Sequence, residues 1–199
     1  MIFTEEWLRQ YVNPALGTDE LADALTMAGL EVEEVRTIAP AFSGVVVGEV
    51  LSCRDHENSD HLHVCEVTAG TGETLQLVCG APNVRAGIKV ACATIGAVLP
   101  GDFRIKKSKL RGVVSMGMLC STRELGINED HNGIWILPDD APVGGDIRQY
   151  ARLDDAKIEL KLTPNRGDAL SVVGVARDVH ANTGAPLTLP AMDPVAATC

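Results

Sequence analysis

The chain has 199 residues, of which 27 are Asp or Glu and 17 are Lys or Arg, so its formal net charge is -10. Hydrophobic residues make up 46% and charged residues 22% of the chain, a globular composition that excludes an intrinsically disordered protein. No apolar run approaches the roughly 18 residues that a membrane-spanning helix needs, which excludes that class of membrane protein.

The first residues are acidic where a secretory signal peptide needs basic charge, and the six cysteines include no C-x-x-C pair. Most of these cysteines sit in apolar, strand-like runs, which is typical of reduced, buried thiols. We therefore expect a cytoplasmic protein.

Two helices and a strand are predicted in the first forty residues. TEEWLRQYV forms a short helix that ends before Asn13-Pro14. A second helix is expected to begin at Thr18, which is a good N-cap, and to end at Gly29, which suits the C-terminal cap. The alternating residues LEVEEV then predict a strand.

From Ser43 onward the sequence predicts β-structure. Short runs rich in Val and Ile are divided by glycine turns, as in GVVVGEVLSC, LHVCEVTAG, TLQLVCG and IKVACATIG. Several strands at this spacing indicate a sandwich or a small barrel.

After Tyr150 the pattern changes to a strand, a turn and a helix. The helix is expected to have Asp168 as its N-cap and to end at Gly184, and the residues after Pro190 are typical of a linker. Neither α-rich piece is large enough to bury a core alone. We therefore expect the two pieces to pack into one domain that the β-region interrupts.

A basic run stands out in this acidic chain, with five cations in eight positions: Arg104, Lys106, Lys107, Lys109 and Arg111. Strand alternation places Ile105 and Leu110 on opposite faces, so the run is predicted to be bent or bulged. Two interpretations are open, an edge strand that discourages aggregation or a patch that binds a phosphate backbone. The chain's acidity does not exclude such a patch, because charges beyond a Debye length of about 8 Å are largely screened.

Two polar clusters admit both a chemical and a structural interpretation. His61, His63 and Cys65 alternate along one predicted strand near His56, which suits either zinc or a partly exposed strand face. The carboxylates of DHENSD, residues 55–60, suit either acid–base catalysis or a turn. Because the sequence contains no phosphate-binding loop, dinucleotide motif or nucleophile triad, we predict no catalytic residue and no metal ligand.

Arg166 lies in the segment LTPNRGD between the last predicted strand and the last predicted helix. Its side chain could contact a ligand. The surrounding Pro, Asn, Gly and Asp are also the residues that a tight strand-to-helix turn requires, so a structural role is the alternative.

Taken together, several stretches resemble the β subunit of bacterial phenylalanyl-tRNA synthetases. WLRQYVNP and TDELADALTMAGLEVEEV resemble the opening of that subunit. Its inserted tRNA-binding domain is similar to VVVGEVLSCRDHENSDHLHVCEVTAG, LQLVCGAPNVRAG and IKKSKLRGVVSMGMLCSTRELGI. LTPNRGDALSVVGVARDV resembles the segment that returns from it, so the resemblance covers residues 1–190.

The resemblance implies an α+β fold in which an OB-fold β-barrel interrupts a small, mainly helical domain. The barrel would comprise residues 40–151, and the helical domain would comprise residues 1–39 and 152–190. Residues 191–199 would be a linker toward downstream domains. The implied function is that of a non-catalytic, tRNA-binding and structural N-terminal region. The residues expected to contact tRNA phosphates are Arg104, Lys106, Lys107, Lys109 and Arg111.

The resemblance also implies partners and cofactors for the whole enzyme. That enzyme is an α2β2 tetramer that uses ATP and Mg²⁺, with its aminoacylation site in the α subunit and its editing site further along β. For this segment we expect no cofactor of its own, tRNA and the α subunit as partners, and no membrane.

Two rival functions are consistent with parts of the sequence. A free-standing OB-fold tRNA-binding or chaperone-like protein would not need the flanks WLRQYVNP and TPNRGDALS. A purely architectural spacer in subunit assembly would not bind tRNA in a salt-dependent way.

Overall fold

A computed structural model of the chain describes residues 1–130 and 132–191. The helices are α1 (Glu5–Arg9), α2 (Thr18–Met27), α3 (Ile147–Tyr150) and α4 (Val172–Thr183), and a 3-10 turn spans Gly167–Ala169. The strands are β1 (Ile2–Thr4), β2 (Glu31–Thr37), β3 (Ser43–Asp55), β4 (His63–Thr68), β5 (Thr74–Cys79), β6 (Lys89–Leu99), β7 (Phe103–Arg104), β8 (Ser108–Leu110), β9 (Val113–Ser115), β10 (Gly117–Leu119), β11 (Ile136–Leu137) and β12 (Ala156–Lys161). The described residues thus form an α+β fold with more strand than helix, as predicted at that level.

The chain divides into two compact units. The flanking unit comprises Met1–Ile38 and the chain from Asp155 onward, and the central unit comprises Ala39–Asp154. Residues 192–199, which include most of the predicted linker, lie outside the described residues. In the part of the chain that the structure describes, no helix is long and apolar enough to cross a membrane.

The flanking unit is built from both ends of the chain around a three-stranded antiparallel sheet of order β1-β12-β2. The middle strand comes from the C-terminal piece, where Ile158 pairs with Phe3 on one side and Val35 on the other. Leu25 of α2 and Val175 of α4 are both buried in its core. The unit therefore contains a sheet as well as helices. Its buried apolar residues are Phe3, Leu8, Val12, Leu21, Leu25, Leu30, Ile158, Leu160, Ala169, Val172, Val175, Ala176 and Val179.

Two of the predicted N-cap residues are wrong, by one position for α2 and by three positions for α4. Helix α2 has Gly17, not Thr18, as its N-cap, because the Glu20 carboxylate accepts the Gly17 N–H at 2.8 Å and no hydroxyl is needed. Helix α4 has Ser171, not Asp168, as its N-cap, and the Ser171 Oγ accepts the Gly174 N–H at 3.0 Å. Asp168 instead lies in the preceding 3-10 turn.

The predicted ends of these two helices are confirmed. Gly29 and Gly184 follow α2 and α4 with φ values of 83° and 71°. This left-handed conformation is one that glycine adopts without a side-chain clash, and it is the usual way to stop a helix.

The central unit is built on an antiparallel sheet of order β10-β6-β3-β4-β5, with β7 and β11 also paired to β6. Its core packs between these strands and includes Val50, Val67, Leu77 and Val90, all fully buried. A backbone hydrogen bond of 2.9 Å from the Met116 N–H to the Gln76 carbonyl oxygen links β5 to the chain just before β10. The described strands do not form a complete hydrogen-bonded ring.

The described cysteines are free thiols, and most of them are buried in the central unit. Burial raises the pKa of the Cys92 thiol to about 12, so this side chain is a neutral part of the core at physiological pH. Cys199 lies outside the described residues.

The packing of α2 in the flanking unit yields a test of this core. Leu25 is 1% exposed, so Leu25→Ala should lower the free energy of unfolding by about 2 to 5 kcal/mol. Met27 lies on the same helix and is 87% exposed, so Met27→Ala should change stability by less than about 0.5 kcal/mol. Denaturant unfolding measures both values, and amide hydrogen exchange should show lost protection in α4 of the Leu25 variant. Equal stabilities for the two variants would contradict this packing.

Candidate nucleic-acid interface

The basic run is bent, because its two halves pair with different strands. Arg104 pairs with Val98 of β6, and Ile105 continues this pairing by donating its N–H to the Ala97 carbonyl oxygen at 2.8 Å. From Ser108 onward the chain pairs with β9 instead. Ile105 is 5% exposed and anchors the bend, whereas Leu110 is 40% exposed. One of these two apolar residues is thus buried and the other exposed, and the predicted bend in the run is confirmed.

The cations of this run all face solvent. Within the described residues none of them forms an ion pair with a carboxylate. The Arg111 guanidinium donates one hydrogen bond, from Nη1 to the Asn58 carbonyl oxygen at 3.3 Å. Their positive charge is therefore available to an external anion. The exposed residues are Arg104, Lys106, Lys107, Lys109 and Arg111.

Strands β8 and β9 form a hairpin, which we call the basic hairpin (Ser108–Ser115). Its loop consists of two residues, Arg111 with φ +43° and Gly112 with φ +95°. Two successive left-handed residues are the mark of a type I′ turn, whose twist matches that of the flanking strands. The turn therefore carries a cation, Arg111, at the tip of the hairpin.

The basic hairpin is tied to β5 through side-chain hydrogen bonds. Gln76 donates from Nε2 to the Val114 carbonyl oxygen at 2.8 Å. The Ser115 hydroxyl accepts the Val78 N–H at 3.1 Å and donates to the Gly117 carbonyl oxygen at 2.9 Å. Ser115 is only 1% exposed, so its hydroxyl lies inside the unit. There it accepts a backbone N–H of β5 in place of a carbonyl oxygen from a neighbouring strand. The local sequence gives no sign of the roles of Gln76 and Ser115, because their bonds between the hairpin and β5 join residues 38 and 37 positions apart.

The structure does not bring together, as a metal site, the His and Cys residues for which zinc was one of two open interpretations. His63 Nδ1 lies 3.2 Å from Asp55 Oδ1, and the Cys65 thiol lies 3.7 Å from Cys53 Sγ. The His56 ring contacts backbone atoms, and His61 is exposed. Across residues 1–130 and 132–191, no three His, Cys, Asp or Glu side chains are arranged to hold a metal ion.

A cavity of about 640 Å³ in the central unit lies beside the ends of β5 and β10. Apolar side chains such as Leu119 and Ile134 line it, together with Arg123 and Glu124. The Glu124 carboxylate already accepts the Ser121 N–H at 2.6 Å and the Ser121 hydroxyl at 2.8 Å. This carboxylate therefore supports the loop that begins at Ser121.

Comparison with known families identifies the central unit. Residues 45–146 match a protein-family model described as "Putative tRNA binding domain". The match covers just over half of the chain and includes every cation of the basic run. The chain belongs to this tRNA-binding domain family.

Relatives of the whole chain carry the name phenylalanine–tRNA ligase beta subunit. The protein from Chromobacterium violaceum is 61% identical over 196 residues, covering 98% of this chain and 25% of the relative. The protein from Cupriavidus pinatubonensis is 60% identical over 205 residues, covering 100% of this chain and 25% of the relative. The chain thus spans about a quarter of the length of these relatives.

A solved structure, that of the MetRS related protein from Pyrococcus horikoshii, is 23% identical with a TM-score of 0.39. The alignment covers 52% of this chain and 87% of that protein. At this TM-score the similarity adds no evidence about the fold.

Arg166 lies outside the region matched by the tRNA-binding family, and its guanidinium is used within the flanking unit. It donates to Asp178, to Asp168 at 3.1 and 3.2 Å, and to the Ala28 carbonyl oxygen at 3.4 Å. These bonds connect the end of α2, the 3-10 turn and α4. The geometry therefore favours the structural interpretation of Arg166 over that of a ligand contact.

The Arg166 contacts also change the acidity of Asp168. The hydrogen bonds from Arg166 lower the pKa of this carboxyl below its usual value, since they favour the ionised form. Because the pKa of Asp168 is lower in the folded chain than in the unfolded chain, the Arg166–Asp168 pair stabilises the fold fully at pH values above the unfolded-state pKa. This stabilisation is lost as the pH falls through the pKa of the folded state.

We therefore expect Arg166→Gln to raise the pKa of Asp168 toward its usual value. The change should also reduce stability near neutral pH more than at strongly acidic pH, where the wild-type carboxyl is protonated. Carboxyl NMR titration and denaturant unfolding at several pH values measure the two effects. Arg177→Gln removes an exposed arginine of α4 and serves as the control. An Asp168 titration that is the same in both variants would show that Arg166 does not control this carboxyl.

Proposed function

We propose that this chain is the non-catalytic, tRNA-binding and structural N-terminal region of a phenylalanine–tRNA ligase β subunit. One observation carries the proposal: the tRNA-binding family region of an acidic chain presents an exposed run of five cations without ion-pair partners among the described residues. Relatives at about 60% identity over the whole chain support the assignment to the ligase subunit.

The charge distribution supports contact with phosphates. Residues 40–151 contain ten basic and thirteen acidic residues, and half of the basic residues lie in the run from Arg104 to Arg111. Neutralising a phosphate with Lys or Arg releases counterions from the nucleic acid, which favours binding at low salt. Because the rest of the unit is acidic, we expect weak binding, with a Kd of about 10⁻⁴ to 10⁻⁶ M.

The contacts are expected to read the tRNA backbone and its folded shape. Phe103, which directly precedes the run, is an aromatic residue with 59% exposure, and one ring is too few for a stacking platform along a single strand. Phosphate contacts position a protein on nucleic acid without reading its sequence. Binding to different tRNAs should therefore be similar.

For the architecture, we propose that the central unit is an OB-fold domain and the flanking unit a second domain that the OB-fold interrupts. The antiparallel order β10-β6-β3-β4-β5 and the bonds between β5 and the basic hairpin support a small Greek-key barrel. The sheet order β1-β12-β2 supports a single domain made from both chain ends.

For the partners, we propose that the whole ligase pairs this β-subunit region with an α subunit in an α2β2 tetramer. ATP and Mg²⁺ would be bound elsewhere in that enzyme. The names of the relatives and the share of their length that this chain spans support this division of labour.

Each of the two rival functions leaves a feature of this chain unexplained. A free-standing tRNA-binding or chaperone-like protein does not account for the similarity to the ligase subunit along the flanking residues as well as the central ones. An architectural spacer does not account for a concentration of cations, on one hairpin and the bend beside it, that have no ion-pair partner in the described part of the chain. Salt-dependent binding to tRNA distinguishes the spacer from the proposed function.

The proposal is tested by removing cations from the run. We expect the triple change Lys106→Ala, Lys107→Ala and Lys109→Ala to weaken binding to several tRNAs almost equally. It should also flatten the dependence of log K on log salt by about 1 per lost phosphate contact. Fluorescence titration with labelled tRNA at several salt concentrations measures both quantities.

A second triple variant controls for the change in net charge. Lys157→Ala, Lys161→Ala and Arg177→Ala remove three cations from the flanking unit and should leave the slope unchanged. If the two triple variants bind tRNA with the same affinity and slope, the basic run is not the binding site.

A further inference from the structure

His56 connects the loop before β4 to the turn of the basic hairpin. The residue is only 3% exposed although it precedes exposed loop residues. Its Nδ1 lies 3.0 Å from the Asn58 backbone nitrogen, and its Nε2 lies 3.2 Å from the Leu110 carbonyl oxygen. The second contact joins residues 54 positions apart in the sequence. The ring therefore holds two separate segments together.

These contacts determine which ring nitrogen carries the proton. The Asn58 N–H is a donor, so Nδ1 must be the acceptor, and the proton of the neutral ring lies on Nε2. This Nε2–H donates to the Leu110 carbonyl oxygen. Both ring nitrogens are thus satisfied by backbone groups in a single tautomer.

The loop that carries His56 is itself fixed by backbone bonds. The His56 N–H donates to the Leu62 carbonyl oxygen at 2.9 Å, and the His56 carbonyl accepts the Ser59 N–H at 3.1 Å. From the hairpin side, Arg111 donates to the Asn58 carbonyl oxygen at 3.3 Å. Leu110 and Arg111 at the start of the turn are therefore bound to one fixed loop.

Strands β8 and β9 need such support. Each has three residues, and an isolated two-stranded ribbon is marginally stable in water. Gln76 and Ser115 fix the β9 side of the hairpin to β5. The β8 side, which carries Lys109, is fixed at its end through His56 and Leu110.

We propose that His56, as the Nε2–H tautomer, is a positioning residue that holds the turn of the basic hairpin ready to contact an RNA phosphate backbone. The inference rests on the proposed function. Without this hydrogen bond the turn and its cations would have to be ordered when RNA binds, and the cost of that ordering weakens binding. Ordering one or two side chains corresponds to a loss of about three- to tenfold in affinity.

Two substitutions separate the two hydrogen bonds of the ring. In His56→Gln the amide nitrogen can take the place of Nε2 and donate to the Leu110 carbonyl oxygen. In His56→Asn the amide oxygen can take the place of Nδ1 and accept the Asn58 N–H, but the side chain is too short to reach Leu110. We expect His56→Gln to bind tRNA within about twofold of the wild type and His56→Asn to bind about three- to tenfold more weakly.

His61→Asn is the matched control, because His61 is an exposed histidine of the same loop and should tolerate the change without loss of affinity. Imidazole ¹⁵N chemical shifts of the wild-type chain report the tautomer of His56 directly. A proton on Nδ1 would overturn the inference whatever the variants do. It would also be overturned if His56→Asn bound as tightly as His56→Gln, or if His56→Asn unfolded the chain, since the ring would then serve the whole unit.

The triple lysine variant separates failure of this inference from failure of the proposed function. If that variant binds tRNA like the wild type, the basic run is not the binding site and the proposed function fails. If it binds more weakly while His56→Asn and His56→Gln behave alike, only the positioning role of His56 fails.

Discussion

The cost of taking a charge out of water is the constraint on the basic run, because its five cations on and beside a short hairpin must stay in solvent. Their side chains therefore face solvent, and other groups hold the backbone beneath them. Ile105 is buried within the run, and Ser115 is buried at the end of β9. The Gln76 and Ser115 bonds then fix the hairpin to β5 without using its charges. The cations above this backbone face solvent and form no ion pair among the described residues.

In the flanking unit, two pieces that are separated by more than a hundred residues of sequence must form one core. The sheet joins them by placing β12 between β1 and β2, so that neither piece has a complete sheet alone. Arg166 adds polar bonds among α2, the 3-10 turn and α4. This arrangement explains why residues from both ends of the chain share one apolar core.

The features that the sequence predicts correctly are local ones. Runs of Val and Ile gave the long strands, and the glycines after α2 and α4 gave the helix ends, since strand propensity and the left-handed cap depend on nearby residues. The bend in the basic run followed from the positions of Ile105 and Leu110.

The errors and omissions concern competition between groups or contacts across long distances. Thr18 and Asp168 are good caps by type, but Glu20 and Ser171 make the capping bonds instead. The role of His56 was not predicted, because its partner Leu110 lies 54 positions away and nothing in the local sequence indicates that contact. The exposed basic run was thus predictable from the sequence, whereas the groups that hold the hairpin in place were not.

A salt titration of the intact chain with tRNA tests the central claim most directly. If three or four phosphates are contacted, log K should fall linearly with log salt, with a slope of roughly -2 to -4. Binding should also be similar for cognate and unrelated tRNAs, because the contacts read the backbone. A slope near zero, or no detectable binding at low salt, would contradict the claim that the basic run binds the phosphates of tRNA.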